Sequence, residues 1–387
     1  MNFNLKILSG VCLLGSLTAF GQNIGDIRPV LTGAPFLRIS PDARAGGLGD
    51  QGVATTTDAF SQFWNPAKYP FGRISSTVGV NYTPYMSKLT NDVFLLYGAY
   101  STFLGQDERS TLSASIYYFN MGSVDLTNLV GNEVVSEGTA QPNEFSIDLS
   151  YGLKLSDSYS MAVTGRFIRS DLSGGFNTDN TLQPANSFAI DVSGYFQSQR
   201  HQSFGYYDGR VRAGFAVQNL GPRLDYTANE ESLSYLPTMA RLGVGYDLYL
   251  DDMNRVGLTF EGSKLLVPGP DIVDYDADDR PIYDVPNVGV LEGVSKSFSN
   301  PESIMLSGSA EYSYEDAFAV RAGYFHESAV QGGRQYATVG VGLKYQSFGL
   351  DLSYLINTSK LNNALDNTLR VGLTWNIGQE TYNAQDY

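Results

Sequence analysis

Apolar and polar residues alternate with a period of two along most of the chain after residue 72. The alternation is clearest where Phe145, Ile147, Leu149, Tyr151 and Leu153 are separated by polar or small residues. Residues 241–248 and 369–377 repeat the pattern. Because successive side chains of a strand point to opposite faces, this period predicts β-strands with one apolar face. A soluble sandwich would alternate in the same way, so the period alone does not establish a membrane protein.

The length of these segments and the rhythm of their connections favour a membrane barrel. About fourteen segments of roughly ten residues follow residue 72, and a tilted strand needs this length to cross a bilayer. Short connections at 156–158, 251–252, 315–316 and 346–347 alternate with longer ones at 121–143, 170–186, 220–236 and 264–302. Outer-membrane barrels have short periplasmic turns and long outer loops. The sequence therefore predicts an all-β fold, a transmembrane antiparallel β-barrel of about 14 strands with both mature termini in the periplasm.

The first 21 residues are typical of a secretory signal peptide. Lys6 precedes an apolar run over 7–20, and the small residues Ala19 and Gly21 lie before the expected cleavage site. A lipoprotein leader cleaved before Cys12 is the alternative, but Val11 is bulky for that site and the apolar run continues past it. We therefore expect a signal peptide at 1–21, a periplasmic segment and lumenal hatch at 22–72, a barrel at 73–378 and a periplasmic tail at 379–387.

The segment 35–70 matches neither the leader nor the strands. Its glycines at 46, 47, 49 and 52 allow tight turns and close approach of the backbone to other atoms. Asn65-Pro66 predicts a sharp turn, because proline fixes its own φ and disfavours α geometry in the residue before it. A short, glycine-rich, barely periodic segment in front of a barrel is typical of a hatch folded into the lumen.

The same segment resembles a known family. Its motif comprises Pro35, Phe36, Asp42, Arg44, Gly46, Gly47, Gly49, Asp50, Trp64, Asn65 and Pro66. The glycine-rich centre and the Asn-Pro turn look like the N-terminal hatch of FadL-type outer-membrane proteins. The longer motif over 35–69 is similar to the PorV branch of that family. PorV, also called LptO, is an outer-membrane component of the type IX secretion system. The barrel resembles the family in strand number and length.

The PorV resemblance implies a non-enzymatic outer-membrane protein of a Gram-negative cell that needs no cofactor. The implied partners are a large SprA- or Sov-like translocon barrel, the C-terminal domains of secreted cargo, the attachment complex containing the sortase PorU, and outer-membrane lipid or lipopolysaccharide. The implied function is to bind cargo at the translocon and pass it to the attachment complex. The FadL resemblance implies an alternative, uptake of hydrophobic small molecules, which needs a continuous apolar path and an opening in the wall. An enzyme embedded in the outer membrane is a third hypothesis.

Composition agrees with a barrel and narrows the chemistry. The chain has 387 residues with 26 Tyr, 21 Phe and 41 Gly, as expected for many strands with aromatic girdles. The mean hydropathy of −0.16 would suggest a soluble protein, but alternating strands average to such a value. A net charge of −15 argues against nucleic acid as the main partner. Cys12 is the only cysteine and lies in the leader, so we expect no disulfide in the mature chain.

Candidates for catalysis are few. A Ser-His-Asp arrangement needs a histidine beside a nucleophile, and His201 and His326 are the two histidines of the chain. His326 follows apolar strand residues in phase, so we expect it at an interface. We therefore predict no catalytic residues.

Three sets of polar residues have two interpretations each. Arg200 and His201 lie in a connection that is long for a periplasmic turn, which is either a flexible turn or a contact for a partner. Asp274, Asp276 and Asp278 have the spacing of a calcium loop but lack the glycine expected next, so a solvated acidic loop is the simpler interpretation. A third set is charged and in phase with the lumen, and we interpret it as salt-bridge partners: Arg166, Arg210, Arg212, Arg241, Glu261, Glu311 and Arg321.

Overall fold

The computed structural model describes residues 28–381 except 87–89, 91, 106, 131–132, 176–182, 204, 228–232, 276–280, 301–302 and 360–366. Fourteen strands form its wall and are numbered β1 to β14 in chain order. They are Ile74–Pro84, Val93–Leu104, Ser110–Met121, Asn143–Ser156, Tyr159–Asp171, Ala185–Gln197, Tyr207–Leu220, Met239–Tyr249, Asn254–Leu265, Ile304–Tyr314, Phe318–Glu327, Gln335–Tyr345, Phe348–Asn357 and Leu369–Glu380. The predicted strand number is confirmed.

The sheet closes on itself. Each wall strand pairs antiparallel with its neighbours in the chain, and Val78 of β1 lies opposite Trp375 of β14. Among the described wall strands, the ladders shift register beside Ile74, Lys154 and Val217. Because the wall is closed, its strands leave no open sheet edge. A bilayer requires this, since its core offers no water to unpaired backbone groups. The prediction of a closed antiparallel barrel is confirmed.

The alternation of the sequence places apolar side chains outside the barrel and polar side chains inside it. On β4, Leu149 is 58% exposed whereas its neighbour Ser150 is 1% exposed. Val244 and Leu373 face outward in the same way. Strand β2 is apolar on both faces because its inward residues, including Leu95, pack in the aromatic core of the lumen.

The connections divide the barrel into a short-turn end and a long-loop end. Short turns follow β4, β8, β10 and β12, and β14 ends at the same side. The long-loop end carries the hairpin of Val124–Val130 with Glu133–Ala140. It also carries the hairpin of Asp271–Tyr275 with Pro281–Asp284 and a helix at Val290–Ser297. No helix in the described part of the chain is long and apolar enough to cross a membrane.

Residues 28–72 run through the lumen from the long-loop end to the short-turn end, and we call this segment the hatch. At the long-loop end, the backbone N–H of Arg28 donates to the carbonyl of Val330 at 2.7 Å. At the short-turn end, where β1 begins, the N–H of Thr381 donates to the carbonyl of Arg73 at 2.9 Å. The two ends of the described chain therefore lie at opposite ends of the barrel. The predicted signal peptide and the tail after residue 381 lie outside the described residues.

Short helical pieces build the hatch. They are the 3-10 helices Pro35–Arg38 and Pro66–Phe71 and the α-helices Ala43–Gly47 (α1) and Ser61–Trp64 (α2). Aromatic side chains of the hatch pack on β2 and β3. The ring of Phe63 lies 6.2 Å from that of Tyr97, and the ring of Phe36 lies 5.3 Å from that of Tyr117. The predicted N-terminal hatch is confirmed.

Candidate functional site: the hatch and the vestibule beside it

The carboxylate of Asp42 joins the two α-helices of the hatch. One oxygen accepts the N–H of Ala45 at 2.8 Å and so caps the first turn of α1. The other oxygen accepts the indole N–H of Trp64, the last residue of α2, at 2.8 Å. Both partners are buried, so loss of the carboxylate would leave two donors unsatisfied.

Arg44 connects α1 to the wall. Its guanidinium forms an ion pair with Glu311 at 3.2 Å and also contacts Asp58 of the hatch. Glu311 lies on β10 and is shared with Arg321 of β11 at 2.6 Å, and Arg321 in turn contacts Asp351. This chain of alternating charges keeps each buried ion next to an opposite charge.

Asp50 forms a second anchor on the other side of the hatch. Its carboxylate pairs with Arg370 of β14 at 2.9 Å and accepts the hydroxyl of Tyr336 at 2.6 Å. Asp50 has a φ of 55°, and the preceding Gly49 has a φ of 74°. This left-handed backbone turns the chain so that the carboxylate reaches β14, and it favours glycine at position 49.

Two glycines of the hatch allow its backbone to touch the backbone of the wall. A Cβ at Gly47 would lie 3.0 Å from the Cα of Gly340, and a Cβ at Gly49 would lie 3.0 Å from backbone atoms of Tyr324. Gly46 is enclosed by the side chains of Arg370 and Ser353 in the same way. The glycine cluster is therefore a packing surface for β11 to β14.

The Asn-Pro turn is also bonded to the wall. The side-chain N–H groups of Asn65 donate to the carbonyl of Val53 at 2.9 Å and to that of Gly194 on β6 at 3.0 Å. The side-chain oxygen of Asn65 accepts the N–H of Ala67 at 3.1 Å, and Pro66 begins the 3-10 helix that leads to β1. Pro35 opens the first 3-10 helix in the same way.

The charged lumenal residues of the predicted set are paired, with one exception. Ion pairs form from Arg166 to Asp148 and Asp191, from Arg212 to Asp247, and from Arg241 to Glu261. Arg210 differs, because it is 8% exposed and has no carboxylate partner among the described residues. Its Nε also has no hydrogen-bond partner there.

Arg210 faces a cavity of about 850 Å³ at the short-turn end, which we call the vestibule. It lies between the hatch and the wall, and its rim includes Arg73 and Asp316. Asp251 also lies at the rim, and hydrogen bonds from the side chain of Asn254 and nearby backbone N–H groups lower the pKa of that carboxyl. No local pattern in the sequence indicates this cavity, since its lining comes from twelve strands and the hatch.

The predicted partner residues lie at the mouth of the vestibule. The guanidinium of Arg200 lies 4.1 Å from the ring centre of Tyr249 and 3.1 Å from Asp208. His201 is exposed beside it and begins a short strand, His201–Ser203, that pairs with β7. This short strand extends the sheet at the short-turn end of the barrel.

The acidic loop is described only in part. Asp274 is exposed, and its own side chain accepts the N–H of Tyr275 at 2.8 Å. Asp276 and Asp278 lie outside the described residues, so the calcium prediction stays a prediction. Within the described ranges, no group of three or more histidine, cysteine or acidic residues is arranged to hold a metal ion.

Some anchors of the hatch were not predicted as site residues. Glu261 accepts the N–H groups of Gly52 and Val53, each at 2.9 Å. Arg370 and Tyr336 hold Asp50 from two different strands. In the sequence, the alternation of the strands assigns these residues to the lumenal face. That assignment does not show which groups they contact.

A closed fourteen-stranded barrel with an N-terminal hatch defines the class of FadL-like outer-membrane barrels. The TodX monoaromatic hydrocarbon channel deltaS2 mutant is similar with a TM-score of 0.51 and 8% identity, over 87% of this chain and 99% of that chain. The Pseudomonas putida toluene transporter TodX gives 0.49 and 9%, over 91% and 99%. The Ralstonia pickettii toluene transporter TbuX gives 0.47 and 11%, over 87% and 96%. At such low identity these structures show the fold alone.

The sequence identifies the family within this class. The family model described as type IX secretion system protein PorV matches residues 22–272, which is more than half of the chain. The chain therefore belongs to the PorV family. It is accordingly an outer-membrane protein associated with type IX secretion. No curated protein matches the sequence.

Proposed function

We propose that this protein binds the C-terminal domain of secreted cargo at a SprA-like translocon barrel and passes it to the attachment complex containing PorU. Membership of the PorV family supports a role in type IX secretion. The observation that carries the proposal is the filled lumen. The hatch crosses the barrel from end to end and is bonded to the wall through Arg44, Asp50 and Asn65. A lumen filled in this way suits a docking protein better than a conduit for folded cargo.

Transport of a hydrophobic small molecule is the second candidate, which the fold shared with TodX favours. It needs a continuous apolar path and an opening in the wall. Buried ion pairs cross this lumen, such as Arg212 with Asp247, whose side chains are 2% and 1% exposed. An apolar solute would have to displace such pairs at high cost. Within the described strands, the register shifts beside Ile74 and Lys154 lie at strand ends, whereas the shift beside Val217 lies opposite Ile190 and Val192 in the middle of β6.

We further infer that the signal peptide 1–21 is removed and that the short-turn end faces the periplasm, as is usual for outer-membrane barrels. The C-terminal tail is then periplasmic. The strand count predicted the same side for the mature N terminus, but the position of Arg28 at the long-loop end supports an outward-facing start of the hatch.

Apolar side chains at the long-loop end support an interaction surface there. Leu291 and Phe298, seven residues apart on and beside the helix Val290–Ser297, are 77% and 67% exposed. Residues seven apart share one face of a helix, and exposed apolar groups on one face favour contact with a partner. We propose this face as a contact for the translocon or its cargo.

A strain deleted for the gene and complemented with variants tests the function. Gly47→Val forces the hatch away from Gly340, whereas Gly165→Val adds the same side chain on the wall, where nothing lies within 4 Å. We expect both variants to insert in the outer membrane. We expect Gly47→Val to lower the amount of cargo in the medium severalfold, and Gly165→Val to restore it to the wild-type amount.

Two measurements separate the candidates in this strain set. Immunoblots of the medium follow cargo, and uptake of a labelled fatty acid follows transport. If the deleted strain secretes cargo normally, the proposed role in secretion is wrong. If secretion stays normal and uptake falls, the transporter function is supported instead.

A further inference from the structure

We propose that the vestibule is a binding site for a carboxylate-bearing peptide segment that enters from the short-turn end. Its volume of about 850 Å³ lies within the range of ligand-binding sites in proteins. Turn residues such as Asp252 and Glu315 form its rim, so it opens at that end of the barrel. This inference does not rest on the proposed role in cargo transfer.

Arg210 supplies the first reason to expect an anion. The other lumenal arginines that line the vestibule, Arg44, Arg255 and Arg321, each contact at least one carboxylate. Arg210 is as well buried as Arg44 and Arg321 and, among the described residues, has no such contact. A buried guanidinium without a counterion is costly, and an anion bound in the vestibule would remove that cost.

Arg200 supplies the second cation, and its guanidinium also contacts the carboxylates of Asp208 at 3.1 Å and Asp252 at 3.9 Å. Its guanidinium lies 4.1 Å from the ring centre of Tyr249, and the guanidinium of Arg210 lies 5.9 Å from the same centre. One aromatic ring therefore holds both groups near each other at the mouth of the vestibule. The planar fork of an arginine matches a carboxylate in two hydrogen bonds, which favours a carboxylate as the anion.

The rest of the lining favours a peptide over a single ion. The cavity is many times the roughly 30 Å³ share of one water molecule. It offers hydroxyl groups, including that of Thr111, which is buried and has no hydrogen-bond partner among the described residues. It also offers the apolar rings of Phe71 and Phe103. A peptide carries main-chain hydrogen-bonding groups, apolar side chains and carboxylates together, and so uses all three features.

Calorimetric titration of the purified barrel in detergent tests the site. Pentaglutamate is the probe, and pentaglutamine is the uncharged control peptide of the same length. We expect pentaglutamate to bind at least tenfold more tightly than pentaglutamine. Arg210→Gln should weaken pentaglutamate about tenfold to hundredfold, the usual size for loss of a charged hydrogen bond. Arg210→Lys should retain part of the affinity. Arg109→Gln, an exposed arginine at the same end and outside the vestibule, should leave the affinity unchanged.

The thermal unfolding midpoint gives a second measurement that does not depend on equal folding of the variants. Pentaglutamate should raise the midpoint of the wild type and of Arg109→Gln but not that of Arg210→Gln. Equal affinity of Arg210→Gln and the wild type would overturn the proposal. If inorganic phosphate or acetate binds as tightly as the peptide, the site is one for a small anion and the peptide assignment is wrong. Absence of binding by the wild type also overturns it.

Discussion

Single side chains of the hatch motif are anchors between the hatch and the wall. Asp42 ties the two hatch helices together, Arg44 reaches β10, and Asp50 reaches β14. Gly47 also seats the hatch, because its lack of a side chain lets the hatch backbone contact the wall backbone at Gly340. The motif therefore encodes the seating of the hatch.

Arg370→Gln should loosen the hatch, because it leaves Asp50 buried without its cation. Removal of one partner of a buried ion pair costs about 3–5 kcal/mol. Ser61→Cys, placed at a fully buried position of α2, reports hatch opening through its reaction with a thiol reagent. We expect its labelling rate to rise by a factor of about 100 or more in the Arg370→Gln background.

An exposed ion pair provides the control for this measurement. Arg73 and Asp316 are about half exposed, and such pairs contribute about 0–1 kcal/mol. Arg73→Gln should change the labelling rate of Ser61→Cys severalfold at most. Equal labelling rates in the Arg370→Gln and Arg73→Gln backgrounds would mean that the Asp50 pair does not hold the hatch.

The wall strands carry two different surfaces that the period of two separates. The outward surface is apolar throughout, but the inward surface depends on what fills the lumen beside it. Ser150 of β4 accepts the side-chain N–H of Gln62 at 2.7 Å, so the inner face of β4 is occupied by the hatch. Thr374 of β14 instead lines the open vestibule. Polarity of a lumenal position is therefore insufficient to predict which substitutions it accepts.

Leu373→Arg and Thr374→Arg compare the two faces at adjacent positions of β14. Leu373 is 58% exposed on the outward face, and arginine near the bilayer midplane costs about 2–4 kcal/mol. Thr374→Arg should cost less because the vestibule offers room and water. Folding titrations in lipid vesicles measure both. A Thr374→Arg penalty as large as that of Leu373→Arg would contradict the assignment of the two faces.

The whole molecule has two chemically different ends. The short-turn end opens into the charged vestibule, and the long-loop end carries hairpins, a helix and the start of the described hatch. Leu31 lies near that start and is 73% exposed. The barrel therefore offers separate surfaces to the two sides of the membrane.

Single cysteines test this orientation on whole cells with an impermeant thiol reagent. Ser295→Cys on the long-loop helix and Leu31→Cys in the hatch should react on intact cells. Asp157→Cys in the turn after β4 should react only after the outer membrane is broken. Cys12 lies in the predicted leader, so the background should be low. Labelling of Asp157→Cys on intact cells would invert the proposed orientation.

The sequence by itself determined the barrel. The period of two assigned Leu149 to the lipid and Ser150 to the lumen, and segment length with loop rhythm predicted about fourteen strands. Glycines and the Asn-Pro turn predicted the hatch. These features are local, because strand period, strand length and turn chemistry depend on residues close together in the chain.

The tertiary structure decided which charges meet. Asp50 and Arg370 are far apart in the chain and meet because β14 passes the end of α1. Arg210 and Arg212 lie on the same face of β7, yet Arg212 is paired with Asp247 and Arg210 faces the vestibule. Alternation assigns a side chain to a face but does not specify its neighbours. Those neighbours follow from closure of the barrel and from the path of the hatch, which bring distant residues together.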